Sequence, residues 1–315
     1  ASCRYYLGNI ALHEGRYEDA LALHKEALDR RRRQNLNRVA GNSLTATGAV
    51  YVALGNFPQA LGCYREALAL LEKHGSDLDC AYPLLGLGRV LNRLGNYTEA
   101  ARSLRDAVKL REGKDDIAGE AIARLALAEN NLSLGQFDKA QDEATKALFR
   151  LNQVGRKTLL ADAEQLLGKI QIRLRQLDSA KRHLETALEM HWEKGNQRSV
   201  AFDVAHLLQL ALLQEDSAEV SRLTADLEQA VGRLPQPDLE EQLHFQIYQA
   251  ARWQREGGED TADPQSHLQR SYREVFRKAS HLDPELRHQF LFQIEEYREI
   301  LEEGTRAGLT TDFEA

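Results

Sequence analysis

The residues that could do chemistry are thinly spread along this chain. Ten histidines are scattered over 315 residues. His183 and His191 share a helical stretch at eight-residue spacing, which puts them about two turns apart and not around one metal ion. A solvated or packing role is expected of both. Three cysteines, Cys3, Cys63 and Cys80, are too few and too dispersed for a disulfide framework or a zinc site. Cys63 and Cys80 read as inert buried thiols that can be neighbours between stacked helices. The run Arg30-Arg31-Arg32-Arg33 invites a nucleic-acid reading, but it falls at the end of a helix, where cations complement the dipole, and is read as a solvated face. No phosphate-binding Gly-x-x-x-x-Gly-Lys loop, dinucleotide glycine fingerprint, His-Glu-x-x-His pair or Gly-x-Ser-x-Gly nucleophile turn occurs. No catalytic residue, metal or cofactor is expected.

Composition bounds the fold class and the partners. Charged residues at 28% and hydrophobic residues at 43% lie in the globular range. Ala, Leu, Glu, Arg and Gln abound while β-branched residues are sparse, so an all-α chain is expected. The net charge of −7 offers no broad basic field for a phosphate backbone, and nucleic acid is disfavoured as a partner. No apolar run approaches the ~20 residues that span a bilayer, and the N-terminus lacks a signal-peptide layout. A cytoplasmic setting without membrane contact is expected. Ala1 already falls inside a helical pattern, which suggests a piece cut from a longer chain.

The elements that must position any site repeat. Steps of forty residues give Gly8, Gly48, Gly88, Ala128 and Gly168. The same step gives Ala20, Ala60, Ala100, Ala140 and Ala180, then Ala27, Ala67, Ala107, Ala147 and Ala187. A large residue recurs at Tyr17, Phe57, Tyr97, Phe137 and Leu177. Small residues let antiparallel helices approach closely, and the large one fills the gap where the next hairpin stacks. Gly15, Gly55, Gly95 and Gly135 mark the turn inside each hairpin, followed by first-turn residues Glu18, Pro58, Thr98, Asp138 and Asp178. Gly75, Gly155 and Gly195 recur between hairpins, with Asn35 in the first and Gly113 two residues early in the third.

These columns resemble the tetratricopeptide repeat family, with Leu-Gly in the first helix and Ala, a large residue, then Ala in the second. The commonest form repeats at about 34 residues and ends in proline; here the step is forty and that proline is absent. The longer form is similar to the repeats of kinesin light chains, of spindle-orientation adaptors and of the sensor arms of STAND-type bacterial signalling ATPases. The resemblance implies a right-handed α-solenoid of helical hairpins. Residues 1–232 are expected to form six hairpins, five regular over 1–195 and a degenerate sixth. Residues 233–315 are expected to form an irregular seventh hairpin and C-terminal capping helices continuous with it: Pro235 and Pro237 break the chain, a helix runs from about Asp238 to Glu256, Gly257-Gly258-Glu259-Asp260 loops, and 264–281 returns. The closing stretch QFLFQIEEYREILEEGTRAGL at 289–309 resembles the end of the repeat arm in bacterial multidomain regulators.

Carried over from the family, the concave wall comes from the first helix of each hairpin. It implies a partner-binding groove of Tyr5, Asn9, Thr45, Tyr82, Leu85, Arg89, Asn92, Arg93, Ile122, Leu125, Glu129, Gln165, Lys169 and Arg173, with His13, Asn42, Ala49, Leu132, Asp162 and Ile172 beside them. Tyr82, Leu85, Ile122 and Leu125 form an apolar floor, and Arg89, Arg93, Lys169 and Arg173 a basic rim. The alternative is that Tyr82 and Leu125 pack between repeats while the arginines are solvated. The chaperone-tail clamp of the family is not matched beyond Asn9, since Tyr5, Ala46, Tyr82 and Gly86 stand where its other residues belong. The expected partner is a protein or peptide carrying acidic residues and apolar anchors, or another domain of a parent chain. The expected function is a sensor or docking arm of a larger bacterial signalling protein; the alternative is a freestanding adaptor bridging two proteins.

Overall fold

The computed structural model describes residues 2–234, 240–258 and 263–310. Pro235, Pro237, Asp238, Glu259 and Asp260 lie outside them. Sixteen helices and no strand occur among the described residues. The chain divides into two compact units, Ala1–Leu134 and Gly135–Ala315.

Unit 1 holds α1 (Ser2–His13), α2 (Tyr17–Arg33), α3 (Asn37–Ala53), α4 (Phe57–His74), α5 (Asp77–Arg93), α6 (Tyr97–Arg111) and α7 (Ile117–Ser133). Helices pair as α1–α2, α3–α4 and α5–α6, and each second helix also packs on the next first helix. The first helices α1, α3, α5 and α7 touch in succession, forming one wall of the unit. Unit 2 holds α8 (Phe137–Val154), α9 (Lys157–Arg173), α10 (Leu177–Glu193), α11 (Gln197–Gln214), α12 (Ser217–Gly232), α13 (Glu240–Glu256), α14 (Gln265–Ala279), α15 (Pro284–Phe292) and α16 (Glu295–Arg306). It pairs α9–α10, α11–α12 and α13–α14 in the same way, with α9, α11 and α13 in succession. Each unit is thus an α-solenoid of stacked hairpins.

The alanine columns explain the pairing. Ala20, Ala60, Ala100, Ala140 and Ala180, like Ala27, Ala67, Ala107, Ala147 and Ala187, are all 0% exposed. The glycine column receives the large side chain sixteen residues later. A Cβ on Gly8 would stand 2.7 Å from the His24 ring, on Gly48 2.8 Å from Tyr64, and on Gly88 and Gly168 2.5 Å from Leu104 and Leu184. Overpacking of this sort costs about 1–3 kcal/mol, so the small residue is a steric requirement of the crossing.

The turn inside each hairpin uses left-handed backbone, with φ of +74°, +71°, +80° and +70° at Gly15, Gly55, Gly95 and Gly135. Arg175 and Glu215 adopt the same conformation, at 60° and 56°, where glycine is missing. Packing of the two helices therefore imposes the turn even on residues that disfavour it. Gly75 departs from its column. It ends α4 at φ −104°, and a Ser76–Asp79 capping box starts α5 instead.

The C-terminal helices close unit 2 on its last hairpin. Glu241 of α13 is fully buried and accepts from Lys278 Nζ on both oxygens, each at 2.8 Å, and from the Tyr297 hydroxyl at 2.9 Å. Glu303 accepts from the Tyr248 hydroxyl and from Arg252 Nη1, both at 3.0 Å. Ile300 and Leu301 of α16 bury the apolar face that these contacts orient.

Candidate functional site

Residues seven and eleven apart lie nearly on one line along an α-helix. Tyr82, Arg89 and Arg93 form such a line on α5. Tyr82 is 54% exposed, yet the guanidinium of Arg111 lies 4.4 Å from its ring centroid. Arg111 is itself buried at the end of α6, where its Nη1 donates to Asp116 Oδ2 at 3.1 Å. A stacked cation in a desolvated place is worth about 2 kcal/mol, enough to hold the ring while it faces solvent. Arg89 and Arg93 are exposed, and Leu85 and Asn92 are half-buried beside the line. Burial pushes the Tyr64 hydroxyl up to about 12 despite the opposing pull of Arg89 and Arg93, so it stays neutral beneath these two cations.

The other implied residues of unit 1 differ in their surroundings. Tyr5 is half-buried with Arg31 4.6 Å from its centroid and His24 edge-on at 5.4 Å. Asn9 and Ile122 are half-buried, and Glu129 is exposed. Thr45 turns its hydroxyl back onto the Gly41 carbonyl at 3.0 Å. Leu125 and Leu132 are buried in the packing of α7 and offer no surface to a partner. The apolar floor thus consists of Tyr82, with Leu85 and Ile122 partly covered.

Unit 2 repeats the line on α9 as Asp162, Lys169 and Arg173, and here the groups are engaged within the chain. Arg173 donates to Glu295 of α16 at 2.9 Å and lies 5.2 Å from the Phe137 centroid. Gln165 donates to Asp203 Oδ1 at 2.7 Å. His191, fully buried at the end of α10, contacts Asp203 at 2.7 Å through Nδ1 and Asp162 at 3.3 Å through Nε2. Burial opposes its charge, but these two carboxylates outweigh burial and push it up to about 9. Asp203 is held above the ordinary carboxylate range by its own burial, against the pull of His191 and Gln165. An imidazolium shared between Asp203 and Asp162 is the arrangement that this geometry favours at neutral pH. Lys169 is half-buried, and burial with Lys169 beside it pushes the His206 imidazole down to about 3. Ile172 is buried.

Sequence reading missed one column. Arg31, Leu71, Arg111, Leu151 and His191 follow the forty-residue step, and all five are buried where a second helix meets the next hairpin. Arg31 therefore departs from the solvated face expected of its run: it donates to the Val39 carbonyl at 2.9 Å and to Ser43 Oγ at 2.6 Å, while Arg30, Arg32 and Arg33 are exposed. The signal was present in the leucines of the column, which mark its cationic members as interior. His183 contacts Glu164, with no third ligand: among the described residues no group of three or more His, Cys, Asp or Glu is placed to hold a metal ion. Burial raises the thiols of half-buried Cys63 and buried Cys80, whereas Cys3 is exposed. No helix among the described residues is long and apolar enough to cross a membrane.

Models described as tetratricopeptide repeat match residues 2–73, 45–117 and 85–153. The chain is similar in structure to apo RapI, with a TM-score of 0.62 at 14% identity over 85% of this chain and 98% of that one. A Rap protein complexed with Competence and Sporulation Factor matches with a TM-score of 0.60 at 12% identity, over 97% of this chain and 98% of that one. A STAND protein with a tetratricopeptide repeat sensor, from Pyrococcus horikoshii, matches with a TM-score of 0.60 at 15% identity. That match covers 97% of this chain and 43% of the STAND protein. Identities this low establish likeness of fold. No curated protein sequence matches the chain.

Proposed function

We propose, from the premise that this chain belongs to the tetratricopeptide repeat family, that it is a protein-interaction module whose α5 line grips an acidic, apolar-anchored peptide or protein segment. The repeats themselves support a protein-interaction role. The observation that carries the finer reading is Tyr82, which is braced from beneath by Arg111 yet open to solvent, with Arg89 and Arg93 continuing its line. A pre-positioned aromatic lowers the ordering cost of binding, and neighbouring cations select the charge of the partner. Leu85, Asn92 and Ile122 complete the contact in this reading, with Tyr5, Asn9, Thr45 and Glu129 extending it. Lys169 and Arg173 continue the corresponding line of unit 2 from Asp162, with Gln165 beside it.

Selection of random dodecamer peptides against the whole chain tests the assignment. Acidic sequences with an aromatic or aliphatic anchor should emerge, and Arg89→Glu with Arg93→Glu should weaken them about tenfold or more, or 1.4 kcal/mol. Selected peptides without acidic bias, or with unchanged affinity for the variant, would defeat it.

In the wider reading this module is the sensor arm of a cytoplasmic STAND-type signalling protein. The match of nearly the whole chain to part of a STAND protein with a repeat sensor supports that. A nucleotide-binding domain in the same polypeptide is the decisive observation. A gene encoding only these repeats would favour the second reading, an adaptor bridging two proteins.

A further inference from the structure

Three basic residues occupy the buried column where a second helix meets the next hairpin, and they differ in what pairs them. Arg31 donates to Ser43 Oγ, twelve residues on, at 2.6 Å, and to the Val39 carbonyl at 2.9 Å. His191 contacts Asp203, also twelve on, at 2.7 Å, and Asp162 of the wall, 29 residues back, at 3.3 Å. Arg111 has neither kind of acceptor. Ala123 stands at the first position and Tyr82 at the second.

The guanidinium of Arg111 is therefore only partly satisfied. Its Nη1 donates to Asp116 Oδ2 at 3.1 Å, whereas Nε and Nη2 are buried and find no acceptor among the described residues. A buried N–H without a partner has lost its hydration and gained nothing in return. Nε and Nη2 share one edge of the planar group, and their parallel N–H bonds form the fork that a carboxylate accepts with both oxygens. The Tyr82 ring at 4.4 Å offsets the charge through its π-face, which does not replace an acceptor in line with those bonds. Room for the group is built into α7. A Cβ on Gly119 would stand 1.9 Å from Arg111 Nη1, and at the forty-residue step the same position carries Val39, Asp79, Leu159 and Ser199.

We propose, on the reading of the α5 line as the gripping surface, that Arg111 is its acidic-residue subsite: a side-chain carboxylate of the bound segment takes the Nε–Nη2 edge, in the role that Asp162 of α9 plays toward His191. Tyr82 is 54% exposed, so its ring can shift onto the apolar anchor of the partner as the carboxylate enters. Arg89 and Arg93 then select the charge of the partner, while Arg111 fixes the position of one acidic residue. A bidentate pair in a desolvated place is directional and weakly screened by salt.

The first test needs no ligand. Tyr82→Asp copies the α9 arrangement within the chain, and Tyr82→Asn is its uncharged control. In urea unfolding at pH 7, the Asp variant should have the larger folding constant by about tenfold or more, and the advantage should vanish when Arg111→Met is added to both. Equal stability of the two variants, or an advantage that survives loss of Arg111, would overturn the proposal.

The second test uses the acidic dodecamers selected against the whole chain, amidated at the C-terminus so that side chains supply every carboxylate. Arg111→Met should weaken them about tenfold or more. One aspartate or glutamate of the peptide, changed to its amide, should cost affinity in the original chain and nothing in the Arg111→Met variant. Additive effects at every acidic position would overturn the subsite and leave the α5 line standing. Unchanged affinity in Arg89→Glu with Arg93→Glu would instead defeat the line, and the unfolding comparison would still decide what Arg111 accepts.

Discussion

The lines on α5 and α9 share one helical geometry but differ in what holds them. On α5, Tyr82 is exposed above a buried Arg111 and Arg93 is exposed. On α9, Asp162 is engaged by the buried His191, and Arg173 by Glu295 from the closing helix. The difference begins one layer down. At the α10–α11 junction the buried column places His191 against Asp203, and that pair draws in Asp162 and Gln165 from the wall. At the α8–α9 junction the corresponding residues are Leu151 and Ala163, both fully buried and apolar. Below α5 the same position holds Arg111, stacked on Tyr82 with no buried carboxylate at its Ala123 counterpart. The packing position thus carries an apolar pair, a cation braced against the wall, or an ion pair that draws wall groups inward.

The most disruptive way to break this contrast is to remove one partner. Asp203→Ala leaves His191 buried with Asp162 as its remaining carboxylate contact, and should cost about 3–5 kcal/mol in urea unfolding. Adding His191→Leu copies the Leu151–Ala163 junction and should recover most of the loss, because an apolar pair of similar volume has no ions to desolvate. A double variant as unstable as the single would show that the network does more than satisfy its own charge.

Changing pH probes the same pair without mutation. The folded-state pKa of His191, about 9, exceeds the ordinary 6.5. Its stabilisation is therefore fully present below about pH 6.5 and lost as pH rises through about 9. The loss should reach no more than about 3 kcal/mol, and less to the extent that Asp203 resists ionisation. The double variant should lack this alkaline slope; an equal slope in both would assign it to other groups.

The smallest effect is expected at the wall. Glu295→Gln removes the partner of Arg173, but both side chains are about half exposed, so the stability cost should stay under about 1 kcal/mol and shrink with added salt. A larger, salt-independent loss would mean that α16 is anchored through this contact as well as through Glu241 and Glu303.

Much of this architecture was legible before the helices were placed. Small residues at fixed intervals announce close helix crossings, because no larger side chain fits there. Glycine turns announce where hairpins reverse, although Arg175 and Glu215 show that position outranks residue type. The interior role of Arg31 was less visible, since a four-arginine run looks solvated until Leu71 and Leu151, its relatives at the forty-residue step, are aligned with it. Gly75 looked like its column partners, yet the capping box at Ser76 gave the chain another way out of α4.

By itself, the order of residues determined the helical hairpin and its forty-residue step, because those follow from local periodicity and from side-chain volume at repeated positions. Only tertiary structure decided which wall groups are committed: that Leu125 turns inward, that Arg111 props Tyr82, and that Glu295 reaches Arg173 across 122 residues. Such contacts depend on where distant helices end in space, and no spacing along the chain encodes that distance.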